Sequence, residues 1–209
     1  MSEPTLQDRF HLIGIGGAGM SVVAELLASR GATVAGSDRE DSAVLDHLRS
    51  VGVRVFVGHD ASHVDPTSVV VVSTAIREDN PELAIARERG QLVIHRSQAL
   101  ALAASGMRFI GVAGAHGKTT TSGMLAIGLS ACGLDPSVAV GGVLPQLGTG
   151  AHLGGGDVFV AEADESDGSF LNYSPAIEIV TNVEPDHLDR YHSREEFEQI
   201  FIEFARRMV

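Results

Sequence analysis

Acidic side chains outnumber basic ones by 27 to 15 in these 209 residues, a formal net charge of −12 that argues against nucleic acid or an anionic membrane surface as partner. At 44% apolar and 20% charged, the composition is that of a globular protein with room for one large or two small domains. No apolar run approaches the roughly 18 residues that cross a bilayer, no leader pattern stands at residues 1–7, and the single cysteine, Cys132, cannot close an internal disulfide, so a cytoplasmic protein without membrane insertion is expected.

Arg9 to Ile15 predicts a strand that runs into the turn Gly14-Ile-Gly-Gly-Ala-Gly19. Met20 to Ser29 then has helical spacing, with Gly31 where a helix end favours a left-handed residue. A strand over Thr33 to Gly36 ends at Ser37-Asp38, and a helix over 42–50 and a strand over 53–57 follow. Val69 to Ser73 is a continuous β-branched run, the pattern of a parallel strand covered on both faces. Asn80 and Pro81 supply a cap and a first-turn proline for a helix through Arg89. A short strand (Leu92 to His95) and a short helix (Ser97 to Ala104) complete this half. Strands alternating with helices imply a parallel sheet with right-handed crossovers.

The polar break at 104–106 predicts a domain boundary, giving domains 1–105 and 106–209. The pattern then restarts with a strand over 108–113, a glycine-bounded turn, and a helix to about Ala131, and Cys132 is expected to pack in that helix. A strand near 137–140 precedes a glycine-rich loop over 141–156. The strand 157–161 leads into Glu162-Ala-Asp-Glu-Ser-Asp167, and the strand 177–181 into Asn182-Val-Glu-Pro-Asp-His-Leu-Asp189. Ser193, with Glu195 and Glu196 behind it, caps a last amphipathic helix carrying Phe197, Ile200, Phe201 and Phe204.

Two glycine turns carry the chemistry. Gly114, Gly117, Lys118 and Thr119 keep the spacing of a phosphate loop, although Val112 stands where the generic pattern has its first glycine. A strand, a glycine turn and a helix N-terminus gather free N–H groups and a positive dipole end at one point; Lys118 adds a full charge and the Thr119 hydroxyl can ligate magnesium. Gly14, Gly16 and Gly19 match G-x-G-x-x-G between a strand and a helix, with Asp38 ending the next strand, which suits a diphosphate with an acid near the ribose or base. The same pattern is a dinucleotide fingerprint, and it also serves plain helix-to-strand packing. Two phosphate turns in two sheets are most simply one for a nucleotide diphosphate and one for ATP. Glu162, nearest its strand end, can reach a magnesium ion on ATP phosphates; His187, just past another strand, is a second candidate ligand, though a lone histidine is more often structural.

Gly14-Ile-Gly-Gly-Ala-Gly-Met20, Gly36-Ser-Asp38, Gly114-Ala-His-Gly-Lys-Thr-Thr-Thr121, Glu162-Ala-Asp-Glu-Ser166 and Asn182-Val-Glu-Pro-Asp-His187 stand in an order that resembles the Mur ligases of peptidoglycan synthesis. Ala115 departs mildly, since the family usually has threonine there. The resemblance implies a Rossmann-like UDP-sugar-binding domain followed by an incomplete P-loop ATP-binding α/β domain. It also implies the joining of L-alanine to the carboxylate of UDP-N-acetylmuramate through an acyl phosphate, with ATP and Mg²⁺. In its terms Gly114, Ala115, His116, Gly117, Lys118, Thr119 and Thr120 hold ATP, and Thr119, Glu162 and His187 hold the metal. Lys118, Glu162 and His187 are catalytic. Gly14, Gly16, Gly17, Ala18, Gly19, Met20, Ser37, Asp38, Ser73, Thr74 and Ala75 lie about the sugar nucleotide, with His59 a weaker candidate. Gly16-Gly-Ala-Gly19 and Asp164-Glu-Ser-Asp-Gly-Ser-Phe170 favour the alanine-adding branch over the murein-tripeptide branch.

The same resemblance implies that this chain is the N-terminal portion of such a ligase, without the C-terminal domain and catalytically incomplete alone. An incomplete sheet would leave an edge open to pairing with a second copy as a homodimer. A nicotinamide-dependent oxidoreductase using only the first glycine turn, and a non-catalytic nucleotide-binding module, stay open on the residues.

Overall fold

A computed structural model describes residues 3–184, 191 and 193–209. The chain divides into two compact units, Met1–Ala103 and Ala104–Val209.

The first unit is a five-stranded, all-parallel sheet of β1 (Arg9–Ile13), β2 (Thr33–Asp38), β3 (Arg54–Val57), β4 (Ser68–Val72) and β5 (Val93–His95), in the order β3-β2-β1-β4-β5. The helices α1 (Ala18–Ser29), α2 (Ala43–Ser50), α3 (Pro81–Glu88) and α4 (Arg96–Ala103) follow β1, β2, β4 and β5. Because β1 lies between β2 and β4, the winding reverses there, and a crevice opens beyond the carboxyl ends of those strands. Alternation along β1 puts Phe10 and Leu12 on one face and His11 and Ile13 on the other. Ile13 packs with Val64, Val70, Leu83 and Ala86 under α3. In β2 a Cβ at Gly36 would overlap the Leu12 carbonyl oxygen and the Ile15 side chain, so that close approach requires glycine.

The second unit is built on β6 (Arg108–Ala113), β7 (Ser137–Leu144), β8 (Thr149–His152), β9 (Val158–Glu162) and β10 (Ile177–Val180), in the order β10-β6-β9-β7-β8. Its pairs are parallel except β7 with β8. On one face Ile110, Val158 and Val160 pack with Leu125 and Leu129 of α5 (Lys118–Ala131). On the other, Phe109 stacks on Phe159 with ring centroids 5.6 Å apart. Gly111 there leaves space that the Phe204 ring of α6 (Arg194–Ala205) approaches, and Phe204 in turn stacks on Phe170 at 4.5 Å.

Two expectations are corrected. Residues 141–156 are not one loop: β7 continues through them and turns back as β8, with an irregularity between Ala139 and Leu144. Val138, Val140 and Leu144 bury against Ala126 and supply the apolar alternation that Gly141, Gly142, Gly148 and Gly150 obscure in sequence. Asp135 fastens the returning chain, accepting from Gly155 N–H at 2.7 Å through its carboxylate and from Gly156 N–H at 2.8 Å through its carbonyl. The Gly155 bond and that from His152 hold the Asp135 carboxyl below its usual pKa. Cys132 does not pack in the helix; it stands at the C-cap of α5 and is exposed.

Candidate functional site

Helix starts distinguish two places in the molecule. Ser42, Asn80 and Ser193 cap α2, α3 and α6 with side-chain oxygens, and each of those helices has an acid in its first turn. By contrast α1 and α5 start behind glycines, Gly17 and Gly117, with no side-chain cap and no first-turn acid. Their first-turn N–H groups have no intrahelical partner, so the positive dipole end is left to an anion.

In the first unit, Gly14 takes φ +75°, and its N–H and that of Ile15 donate to the Ser37 carbonyl at 2.8 and 2.9 Å. Asp38 locks the turn: Oδ2 accepts from Gly16 N–H at 2.8 Å and Oδ1 from Arg39 N–H at 2.7 Å. A Cβ at Gly16 would stand 2.9 Å from Asp38 Oδ2, which explains the glycine. The turn opens on a cleft of about 760 Å³ at the sheet's switch point. Gly14, Gly17, Ala18, Gly19, Met20 and Asp38 reach it from the β1 and β2 side, and Ser73, Thr74 and Ala75 from the end of β4; His59 lines it too. Ser37 does not: it is fully buried and its hydroxyl donates to Glu82 behind the cleft wall.

Sequence reasoning passed over the cations of this cleft. Arg39, Arg77 and Arg96 all line it, an unusual concentration in a chain of charge −12. Arg77 is held by Asp79 through two bonds of 3.0 Å. Arg96 opens α4 directly after β5, and its guanidinium lies so close over Gly19 that a Cβ there would collide with it. The signal was available, since Arg96 follows a strand's carboxyl end as the other site residues do.

In the second unit, Gly114 (φ +129°) and Gly117 (φ +84°) shape the loop between β6 and α5. A Cβ at Gly114 would overlap the Thr181 hydroxyl. That hydroxyl and the Asn182 amide donate to the His116 carbonyl at 2.6 and 2.9 Å, so the end of β10 braces the loop. Ala115, His116, Gly117, Thr119 and Thr120 are at least partly accessible. Lys118 is largely covered: its Nζ donates to the Gly114 carbonyl at 2.7 Å and to both oxygens of Glu165 at 3.0 and 2.9 Å. Glu165 is fully buried, and Tyr191 donates to its backbone carbonyl at 2.5 Å. Within the acidic run, then, Glu165 is the residue that turns inward to the lysine, a partner that spacing alone did not single out.

Glu162 ends β9, with Oε1 buried and without a hydrogen-bond partner. Its Oε2 stands beside Gly141 of β7, and the Thr119 methyl beside the adjacent Gly142. An orphaned carboxylate oxygen and a threonine at the head of α5, both at one short stretch of β7, are the hard oxygen donors that magnesium favours. His187 lies outside the described residues. Among the described residues no group of three or more His, Cys, Asp or Glu could hold a metal unaided, and no helix is long and apolar enough to cross a membrane.

Comparison with known proteins adds the following. The profile described as Mur ligase family, catalytic domain, matches residues 9–108, and that described as Mur ligase middle domain matches residues 112–209. A UDP-N-acetylmuramate–L-alanine ligase from Streptomyces coelicolor is 56% identical over 207 residues, 99% of this chain and 45% of that protein. One from Nocardioides sp. is 53% identical over 197 residues, 94% of this chain and 44% of that protein. The chain thus spans less than half the length of these curated relatives. Among solved structures, a UDP-N-acetylmuramate:L-alanyl-gamma-D-glutamyl-meso-diaminopimelate ligase from Neisseria meningitides superposes with TM-score 0.89 at 29% identity, covering 97% of this chain and 69% of that one. A UDP-N-acetylmuramate–alanine ligase from Thermotoga maritima gives 0.86 at 33%, covering 96% and 47%.

Proposed function

The chain belongs to the Mur ligase family, and we propose that it carries the two nucleotide sites of a cytoplasmic, ATP-dependent ligase that joins L-alanine to the carboxylate of UDP-N-acetylmuramate. The observation that carries this reading is the pair of uncapped, glycine-started helices, one at the mouth of each sheet. The first cradle takes the diphosphate of the sugar nucleotide, with the Arg96 guanidinium above Gly19 as countercharge. The second takes the triphosphate of ATP. Relatives at 53% and 56% identity support the alanine-adding branch over the murein-peptide ligases, whose support is a shared fold at 29%. A nicotinamide enzyme would leave the whole Gly114–Thr120 loop without a role.

When bound, Mg²⁺–ATP supplies the phosphoryl group that activates the substrate carboxylate as an acyl phosphate, which the amine of alanine attacks with release of phosphate. The physical obstacle is the approach of two anions. Lys118 and the uncapped start of α5 meet it with positive potential at the place where negative charge shifts. Thr119 and Glu162, with His187, would hold the metal. Glu165 keeps the Lys118 ammonium over the loop and prevents the side chain from extending into solvent. A homodimer, if formed through the second sheet, would use an edge strand, β8 or β10.

The test is calorimetric titration of this chain with UDP-N-acetylmuramate, Mg²⁺–ATP and NADH. Binding of the first two and not the third is expected; NADH binding without Mg²⁺–ATP binding would overturn the reading.

A further inference from the structure

Behind the cleft of the first unit lies a polar cluster that the glycine turn does not use. Glu82, in the first turn of α3, is completely buried, and its carboxylate gathers partners from three other segments. His11 on β1 reaches Oε2 through Nε2 at 3.1 Å, and Ser37 on β2 donates its hydroxyl to the same oxygen at 2.5 Å. His63 lies with Nδ1 3.1 Å from Oε1, and the Asp60 N–H donates to Oε1 at 3.2 Å. Burial pushes this carboxyl's pKa up, but the bonds from His11 and Ser37 and the charge of His11 outweigh it and hold the group below its ordinary value. An ionised carboxylate only accepts.

A serine hydroxyl has a single hydrogen. With that hydrogen directed to Glu82, Ser37 Oγ can only accept from its other neighbour, Nδ1 of His59, 2.9 Å away. The chain Glu82–Ser37–His59 therefore puts a hydrogen on Nδ1 of His59 and leaves Nε2 outside the cluster. His59 lines the sugar-nucleotide cleft, together with Asp38 and Ser73. A neutral imidazole protonated at Nδ1 presents a lone pair at Nε2, so its partner must be a donor. The other two histidines have different work. His63 stacks on Phe56 with centroids 4.3 Å apart, and His11 is buried with its Nδ1 unpartnered.

We propose that His59 accepts a hydrogen bond through Nε2 from a ribose hydroxyl or the imide N–H of the bound nucleoside, and that Glu82 is a positioning residue which selects the required tautomer through Ser37. The proposal rests on reading this cleft as the sugar-nucleotide site, where His59 was already a candidate; it adds the acceptor role of its Nε2 and a residue, Glu82, that acts only at second hand.

The test uses the whole chain and two independent readouts. Long-range ¹H–¹⁵N correlation of the His59 ring reports the tautomer without any ligand: Nδ1–H is expected in the wild type and in Ser37→Thr, which keeps the hydroxyl, and Nε2–H in Ser37→Ala and in Glu82→Met, which removes the acceptor. Titration with UDP should show His59→Phe and Ser37→Ala weakened about tenfold, the worth of one ordinary hydrogen bond, and Ser37→Thr near the wild type. If Glu82→Met fails to fold, Ser37→Ala decides, since it deletes a hydroxyl and no charge. A wild-type His59 carrying its hydrogen on Nε2 overturns the proposal, as does a Ser37→Ala variant with unchanged tautomer and UDP affinity. Failure of the wild type to bind UDP overturns the cleft reading itself and the proposal with it. That outcome is separable from a wild type that binds UDP and a Ser37→Ala variant that binds it equally well.

Discussion

Lys118→Met deletes one ammonium and takes from the buried Glu165 carboxylate the cation that meets both its oxygens. The pair is well buried, with the lysine side chain 17% exposed and the glutamate 0%, and Nζ meets both carboxylate oxygens at 3.0 Å or less. Removing one partner of a buried pair costs about 3–5 kcal/mol, because the remaining charge loses its compensation without regaining water. The partial exposure of Lys118 argues for the lower end, about 3 kcal/mol. Adding Glu165→Gln should recover most of that, since the double variant strands no charge. The protein supplies its own probe: it has no tryptophan, and both tyrosines, Tyr173 and Tyr191, are buried in the second unit. Tyrosine emission during urea unfolding therefore reports that unit alone. The single variant should lower the midpoint by roughly 1–2 M, and the double variant should return toward the wild type. A single variant within about 0.5 kcal/mol of the wild type, or a double variant no better than the single, would refute the claim that Glu165 depends on Lys118.

Arg96→Ala should weaken UDP-N-acetylmuramate binding by about 1.5–3 kcal/mol, the worth of a charge-assisted contact to phosphate, and leave Mg²⁺–ATP binding alone; calorimetry reads both. Gly36→Ala forces a methyl against the Leu12 carbonyl and should destabilise the first unit by at least about 2 kcal/mol in chemical unfolding followed by circular dichroism. Phe204→Ala removes a fully buried ring stacked on Phe170 and should cost the second unit about 3–5 kcal/mol, again visible in tyrosine emission. Burial raises the Glu178 carboxyl's pKa above its ordinary 4.5, so the second unit should lose a small stability increment as pH rises through the folded value. Glu178→Gln should abolish that slope in midpoints measured from pH 4 to 8.

The elements were legible where one local rule dominated. β4 announced itself through Val69–Val72, and α3 through the Asn80 cap and Pro81. The β7–β8 hairpin was hidden because glycine fills positions where a strand normally shows its alternation, and the need is tertiary at Gly150, where a Cβ would run into the Val140 and Gly142 carbonyl oxygens. The inward turn of Glu165 is equally tertiary. Glu162, Asp164, Glu165 and Asp167 look alike in sequence, and only the fold brings one of them to Lys118. Asp38 lines the cleft, and the fold gives it a further role that spacing did not show. Its spacing suggested an acid near a ribose or base; the structure adds that Oδ2 also fixes the glycine turn through Gly16 N–H while Oδ1 accepts from Arg39 N–H. The Glu82 cluster draws residues from β1, β2, the 59–63 segment and α3, which no linear motif connects.

The decisive measurement asks whether the two cradles hold different ligands. UDP-N-acetylmuramate and Mg²⁺–ATP should be titrated calorimetrically into the wild type, into Arg96→Ala, and into Lys118→Met paired with Glu165→Gln to preserve the fold. The account predicts a double dissociation, with the first variant losing affinity for the sugar nucleotide alone and the second for Mg²⁺–ATP alone. Loss of both ligands from either folded variant, or retention of Mg²⁺–ATP without Lys118, would contradict it.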